Sequence, residues 1–129
     1  MKLCSVFLLS IFFSIPLGLT AAPQNAHAAE LVMFHADHCM WCLRWDEEIG
    51  VAYPLTQEAK KAPLRKVDYN EDTPEDLNAI QPVVFTPTFV LVENGQEIGR
   101  ITGYPGEENF WGLLNQMLDQ VDNSVSLSP

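Results

Sequence analysis

Glu30-Leu31-Val32-Met33-Phe34-His35-Ala36-Asp37-His38-Cys39-Met40-Trp41-Cys42 is the stretch on which the reading of this chain turns. Glu30 to His35 is an apolar run bounded by polar residues, which predicts a strand covered on both faces, as in a parallel sheet. Ala36-Asp37-His38 reads as a turn, and a helix is expected to open at about Cys39. The two cysteines therefore fall at the head of a helix. A thiolate, not a thiol, attacks a disulfide. At a helix N-terminus, unpaired backbone N–H groups and the positive end of the dipole both favour the thiolate. Cys39 holds that position and is the candidate nucleophile. Cys42, on the same side and one turn deeper, is the candidate resolving thiol.

Working towards the N-terminus, Met1-Lys2 makes a short positive start. Leu3 to Leu19 is almost uninterruptedly apolar, and small and polar residues lead to Ala26-His27-Ala28. That layout is a secretory signal peptide, residues 1–28, with cleavage expected after Ala28. A retained membrane anchor is the alternative, weakened by Pro16 and Gly18. Cys4 lies too early for a lipoprotein site and is read as discarded.

Of the 129 residues, removing 28 leaves 101, enough for one modest core. All 17 acidic residues and six of the seven basic ones remain, for a net charge of −11. Such a surface argues against nucleic acid or an anionic membrane as partner. Of the three cysteines only Cys39 and Cys42 survive processing. A pair that closes so short a loop removes little unfolded-state entropy, so its role is chemical rather than structural.

Towards the C-terminus, Leu43, Trp45, Ile49 and Ala52 could form the inner side of the first helix. Gly50 and Pro54 are expected to break it, with a second piece running to about Ala62. Leu64 to Asp68 is a second strand. Thr73-Pro74-Glu75-Asp76 reads as a helix start, with Thr73 as N-cap and Pro74 at the first helical position. Val83 to Val92 is strand-like, interrupted at Thr86-Pro87. Asn94-Gly95 signals a hairpin, with Gln96 to Thr102 as the returning strand. Phe110, Leu113, Leu114, Met117, Leu118 and Val121 form the stripe of an amphipathic helix. Asp122 to Pro129 reads as a tail. The order predicts an α/β domain: a four-stranded mixed sheet with helices on both faces, begun by a right-handed parallel βαβ unit.

With an apolar strand, C-x-x-C opening a helix, Thr86-Pro87-Thr88 before a strand, the Asn94-Gly95 hairpin and a closing helix, the chain resembles the thioredoxin superfamily. The resemblance covers nearly all of residues 30–121 and implies a minimal thioredoxin fold over 29–121. It implies that Pro87 is cis and lies against the cysteine pair, with Thr86 exposing backbone groups to an extended substrate segment. Trp41, between the cysteines, is a further substrate-contact candidate. His38 could stabilise the Cys39 thiolate when protonated. His35 reads as a capping or packing residue.

One departure from the pattern stands out. General thioredoxins carry a buried acid six residues before the first cysteine, and Met33 occupies that place here. A narrower task or another proton route is implied. Trp45-Asp46-Glu47-Glu48-Ile49-Gly50, Tyr53-Pro54 and Ala62-Pro63-Leu64-Arg65 look like the small periplasmic thioredoxins of bacterial sulfur oxidation, the SoxS type. In that group the protein is implicated in keeping a carrier-protein cysteine of the thiosulfate-oxidising machinery reduced. On residues alone, Trp45 and Tyr53 are core aromatics and Asp46-Glu47-Glu48 a solvated face.

The expected function is thus an exported, monomeric reductase of a disulfide-bearing protein, fed by a membrane thiol donor and needing no bound cofactor. Three other readings stay open. One is a disulfide oxidase or isomerase, since direction depends on potential and partners. Another is a copper- or metal-handling protein using Cys39 and Cys42, with His38 as the candidate further ligand. A binding module with an incidental C-x-x-C is a third.

Overall fold

The computed structural model describes residues 29–126. The predicted signal peptide and residues 127–129 lie outside the described residues. The elements are β1 (Ala29–His35), α1 (Met40–Trp45), a π-helical turn (Asp46–Gly50), a 3₁₀ turn (Tyr53–Leu55), α2 (Gln57–Lys61) and β2 (Leu64–Asp68). A 3₁₀ turn (Glu75–Leu77), β3 (Thr88–Glu93), β4 (Gln96–Thr102) and α3 (Glu107–Ser126) follow. The strand order is β2-β1-β3-β4, with β1 and β2 parallel and the other neighbours antiparallel.

The two central strands are buried on both faces, as the apolar run at β1 predicts. Successive side chains point to opposite faces. Leu31 and Met33 of β1 join Phe89 and Leu91 of β3 on one face; Val32 and Phe34 join Val90 and Val92 on the other. The first face receives Trp45, Ile49 and Tyr53 together with the α3 residues Phe110, Leu114 and Leu118. Trp45 is its hub, with ring centroids 5.1 Å from Phe89, 5.6 Å from Phe110 and 6.2 Å from Tyr53. Tyr53 stacks on Trp111 and donates its hydroxyl to the Ala62 carbonyl at 2.8 Å.

The second face is covered thinly. Leu77, with Ile80 and Val83 beside it, packs there from the Glu75–Leu77 turn and its flanking loop. The helix expected from Thr73 is only this 3₁₀ turn, and Pro74 rather than Thr73 is its N-cap, with no side-chain cap hydrogen bond. Of the seven residues between Pro74 and Pro82 only these three are helical, and Pro82, which lacks a backbone N–H and disfavours helical geometry at Gln81, stops the chain from continuing as a helix.

Other local expectations need adjusting. Leu43 is 56% exposed and Ala52 lies on the surface. The buried phase runs through Cys42, Trp45, Ile49 and Tyr53, spaced three, four and four residues apart, and Leu43 is a full residue out of it. Leu113 is likewise exposed at the edge of the α3 stripe. The strand expected from Val83 begins only at Thr88. Helix α3 continues to Ser126, so 122–126, assigned to the tail, are helical; Lys61 holds Asp122 at 2.6 Å. The Asn94-Gly95 hairpin forms with both residues at positive φ, 52° and 74°, as a tight turn of that sequence requires.

Before β3, the chain is tied to β4 by one charged pair. Glu97 accepts from Arg100 Nε at 2.6 Å and from the Gln81 backbone N–H at 3.0 Å. Arg100 in turn donates to the carbonyls of Gln81 and Pro82. The hydrogen bond from Arg100 holds the Glu97 carboxyl below its ordinary range. A carboxyl lowered in the folded state adds stability above its unfolded pKa and loses it as the pH falls through the folded value. Arg100→Ala is therefore expected to cost about 1–2 kcal/mol at pH 7. Comparing urea midpoints of the two proteins at pH 7 and pH 3 should show that difference shrinking in acid.

Candidate active site

The register brings three chain ends to one end of the sheet. Phe34, near the end of β1, pairs with Thr88 at the start of β3, and Thr88 pairs with Thr102 at the end of β4. The loop towards Cys39, the Thr86-Pro87 segment and the Gly103-Tyr104 turn all leave from there. Within the first loop the Cys39 N–H donates to the Ala36 carbonyl. His38 takes a positive φ of 60°, an uncommon conformation for a residue with a side chain, and is exposed. His35 is half-buried at the strand end, where its carbonyl accepts from Tyr69.

Cys39 and Cys42 are joined by a disulfide, with Cα atoms 5.2 Å apart. Cys39 is the N-cap of α1: its extended backbone leads into the helix, and its Sγ accepts the Cys42 backbone N–H at 3.2 Å. A negative charge on that sulfur would meet the same donor. The two sulfurs differ in access, because Cys39 is half-buried while Cys42 is only 4% exposed and sits in the core. Met33 is fully buried in that core. Among the described residues no three His, Cys, Asp or Glu side chains form a group able to hold a metal ion.

The Thr86–Pro87 peptide bond is cis. Pro87 is buried and Thr86 half-buried. Two hydrogen bonds hold the segment: the Pro87 carbonyl accepts from Gly103 N–H at 2.7 Å, and Thr88 Oγ1 donates to the Phe85 carbonyl at 2.8 Å. Large apolar side chains lie open on both segments, Met40, Trp41 and Leu43 on α1 and Val84 and Phe85 before Pro87. Five such residues clustered in sequence around the redox pair and its proline exceed the scattered exposure usual for a surface. Beside Trp41 an open groove is walled by Leu43, Arg44, Glu47 and Glu48.

Sequence reasoning did not single out Arg44, Gly103 or Tyr104, and it placed Glu48 on a solvated face. Arg44 lies over the Trp41 ring, 5.6 Å from its centroid, and donates to Glu48 at 2.8 Å. Glu48 also accepts the Tyr104 hydroxyl at 2.6 Å. The Tyr104 bond, and then the Arg44 bond, lower the Glu48 carboxyl below its ordinary range. Burial, and then the Glu48 contact, raise the Tyr104 phenol. The (i, i+4) spacing of Arg44 and Glu48 was the available signal; the partner 56 residues on was not.

A sheet of this order, with a disulfide-bonded C-x-x-C where a helix leaves its first strand, is that of a thiol–disulfide oxidoreductase. The chain belongs to the thioredoxin-like domain family, whose match spans residues 17–118. It is similar to the periplasmic thioredoxin SoxS from Paracoccus pantotrophus, with 43% identity and a TM-score of 0.69, over 72% of this chain and 98% of that one. Two further structures share the fold at lower identity. The thioredoxin Mala s 13 of Malassezia sympodialis matches at 21% identity and a TM-score of 0.56, over 71% of this chain and 79% of that one. A DsbH oxidoreductase matches at 22% and 0.56, over 72% of this chain and 74% of that one. No curated protein matches at the same stringency.

Proposed function

We propose that the protein is an exported reductase that keeps the cysteine of one or a few partner proteins reduced. The observation that carries this reading is the unequal access of the two sulfurs at the helix start, on a chain 43% identical to a periplasmic thioredoxin. The Cys39 thiolate attacks one sulfur of a substrate disulfide, forms a mixed disulfide and expels the other sulfur as a thiolate. Cys42 then attacks the Cys39 sulfur, and the second substrate thiolate leaves. Two electrons pass to the substrate, whose thiolates take up protons, and the Cys39–Cys42 disulfide remains. A membrane dithiol donor restores the pair, because the periplasm is kept oxidising. Thr86 and cis-Pro87 offer the backbone edge for the substrate segment, with Trp41 as an apolar contact. His38 tunes the Cys39 thiolate. The carrier protein of a thiosulfate-oxidising system is the proposed partner, on the likeness of residues 45–65 to the SoxS type. Removal of residues 1–28 would release a monomeric domain to the periplasm.

Alkylating the thiols of the exported protein directly in acid-quenched cells tests the direction of flow. The reductase reading expects most Cys39 and Cys42 to be free thiols that react. A pair found almost wholly as disulfide would instead favour disulfide formation, in which the same steps run backwards.

A further inference from the structure

We propose that the two-residue turn Gly103-Tyr104 is a strut that holds both walls of the docking surface, and that Tyr104, Glu48 and Arg44 are positioning residues for Trp41. The proposal deepens the reading above, since it rests on Trp41, Thr86 and Pro87 meeting the substrate.

The geometry is a continuous path. Gly103 leaves β4 at a φ of 81° and donates its N–H to the Pro87 carbonyl at 2.7 Å, which fixes the proline wall. The next residue, Tyr104, is only 7% exposed and packs on Phe110. Its ring is therefore fixed by the core, and its hydroxyl donates to Glu48 Oε2 at 2.6 Å. The other oxygen of Glu48 receives Arg44 Nε at 2.8 Å. The Arg44 guanidinium then covers the Trp41 ring at 5.6 Å.

Each link has a physical reason to exist. Trp41 is 54% exposed, so packing alone does not settle its orientation. A cation over the indole face restrains it, but a long arginine side chain at the surface is itself mobile. Glu48 restrains the arginine, and an isolated surface ion pair contributes little. The buried tyrosine makes the difference, because a hydrogen bond from a fixed ring to a carboxylate is directional and charge-assisted. The redox pair takes no part in the path. Loss of the path should therefore weaken recognition of a protein chain without slowing thiol chemistry.

The test uses Tyr104→Phe, which removes only the hydroxyl, with Glu48→Ala and Glu48→Gln beside it. Three readouts are taken on the reduced protein: the rate with the small disulfide 5,5′-dithiobis(2-nitrobenzoate), KM and kcat for insulin disulfides with dithiothreitol as reductant, and the ¹⁹F resonances of 5-fluorotryptophan. The expected result for Tyr104→Phe is a KM raised roughly three- to tenfold at unchanged kcat, the loss expected for one hydrogen bond. The small-disulfide rate stays within about twofold, and the Trp41 resonance moves while those of Trp45 and Trp111 do not. Glu48→Ala should reproduce this, and Glu48→Gln, whose one amide oxygen can accept from only one of Tyr104 and Arg44, should fall between Glu48→Ala and the original protein. An unmoved Trp41 resonance, or a small-disulfide rate that falls with the insulin rate, would overturn the proposal. A parent protein that leaves insulin untouched would count against the protein-disulfide reading alone, and the Trp41 resonance would then decide the strut by itself.

Discussion

Cys39→Ser is expected to bring disulfide exchange to background, while Cys42→Ser is expected to keep the first half of the cycle and stop there. The difference follows from position. Cys39 is the half-buried N-cap whose sulfur meets a backbone N–H, and a serine oxygen there cannot open a disulfide at neutral pH. Cys42 is 4% exposed, so a protein substrate reaches it only through Cys39. Without Cys42 the mixed disulfide on Cys39 has no internal resolving thiol and should accumulate as a stable adduct. Mass spectrometry of each variant after incubation with an oxidised protein checks this: an adduct on Cys42→Ser, none on Cys39→Ser. The reverse pattern would exchange the two roles. Neither change should unfold the domain, because the pair closes too short a loop to stabilise it much.

The largest effect on stability is expected at Trp45. Its side chain is fully buried and touches Tyr53, Phe89 and Phe110, so it joins α1, the 3₁₀ turn, β3 and α3. Trp45→Ala should cost about 3–5 kcal/mol through lost contacts and the cavity left behind. A domain of this size holds about 5–15 kcal/mol in all, so the variant sits near the edge of folding. Trp45→Phe should cost clearly less. It keeps a ring in the cluster, and the Trp45 Nε1 has no hydrogen-bond partner to lose. Urea unfolding followed by circular dichroism ranks the three proteins, and equal losses in both variants would contradict the packing argument.

Much of this architecture was legible in the chain because its local signals agree. The apolar β1 segment, the Leu64–Asp68 strand, the Asn94-Gly95 turn and the stripe from Phe110 to Val121 each point to the element that forms. The C-x-x-C at a helix start was equally plain. What escaped depends on tertiary partners. Leu43 looked like core because it is apolar, but helical phase set by Cys42 and Trp45 turns it outward. Thr73-Pro74 has the composition of a helix start, yet only one 3₁₀ turn forms before Pro82. Asp122 looked like tail because the apolar stripe ends at Val121, while the helix continues to Ser126. Glu48 looked solvated because nothing local announces a tyrosine 56 residues away.

The most direct test of the reductase account is the equilibrium reduction potential of the Cys39–Cys42 pair, measured on the 29–129 protein against a dithiothreitol series. Trp41 fluorescence can report the transition. The account predicts a value near or below about −250 mV, in the region where thioredoxin works as a donor. A value near about −120 mV, that of a strong oxidant, would contradict it and assign the same two cysteines to disulfide formation.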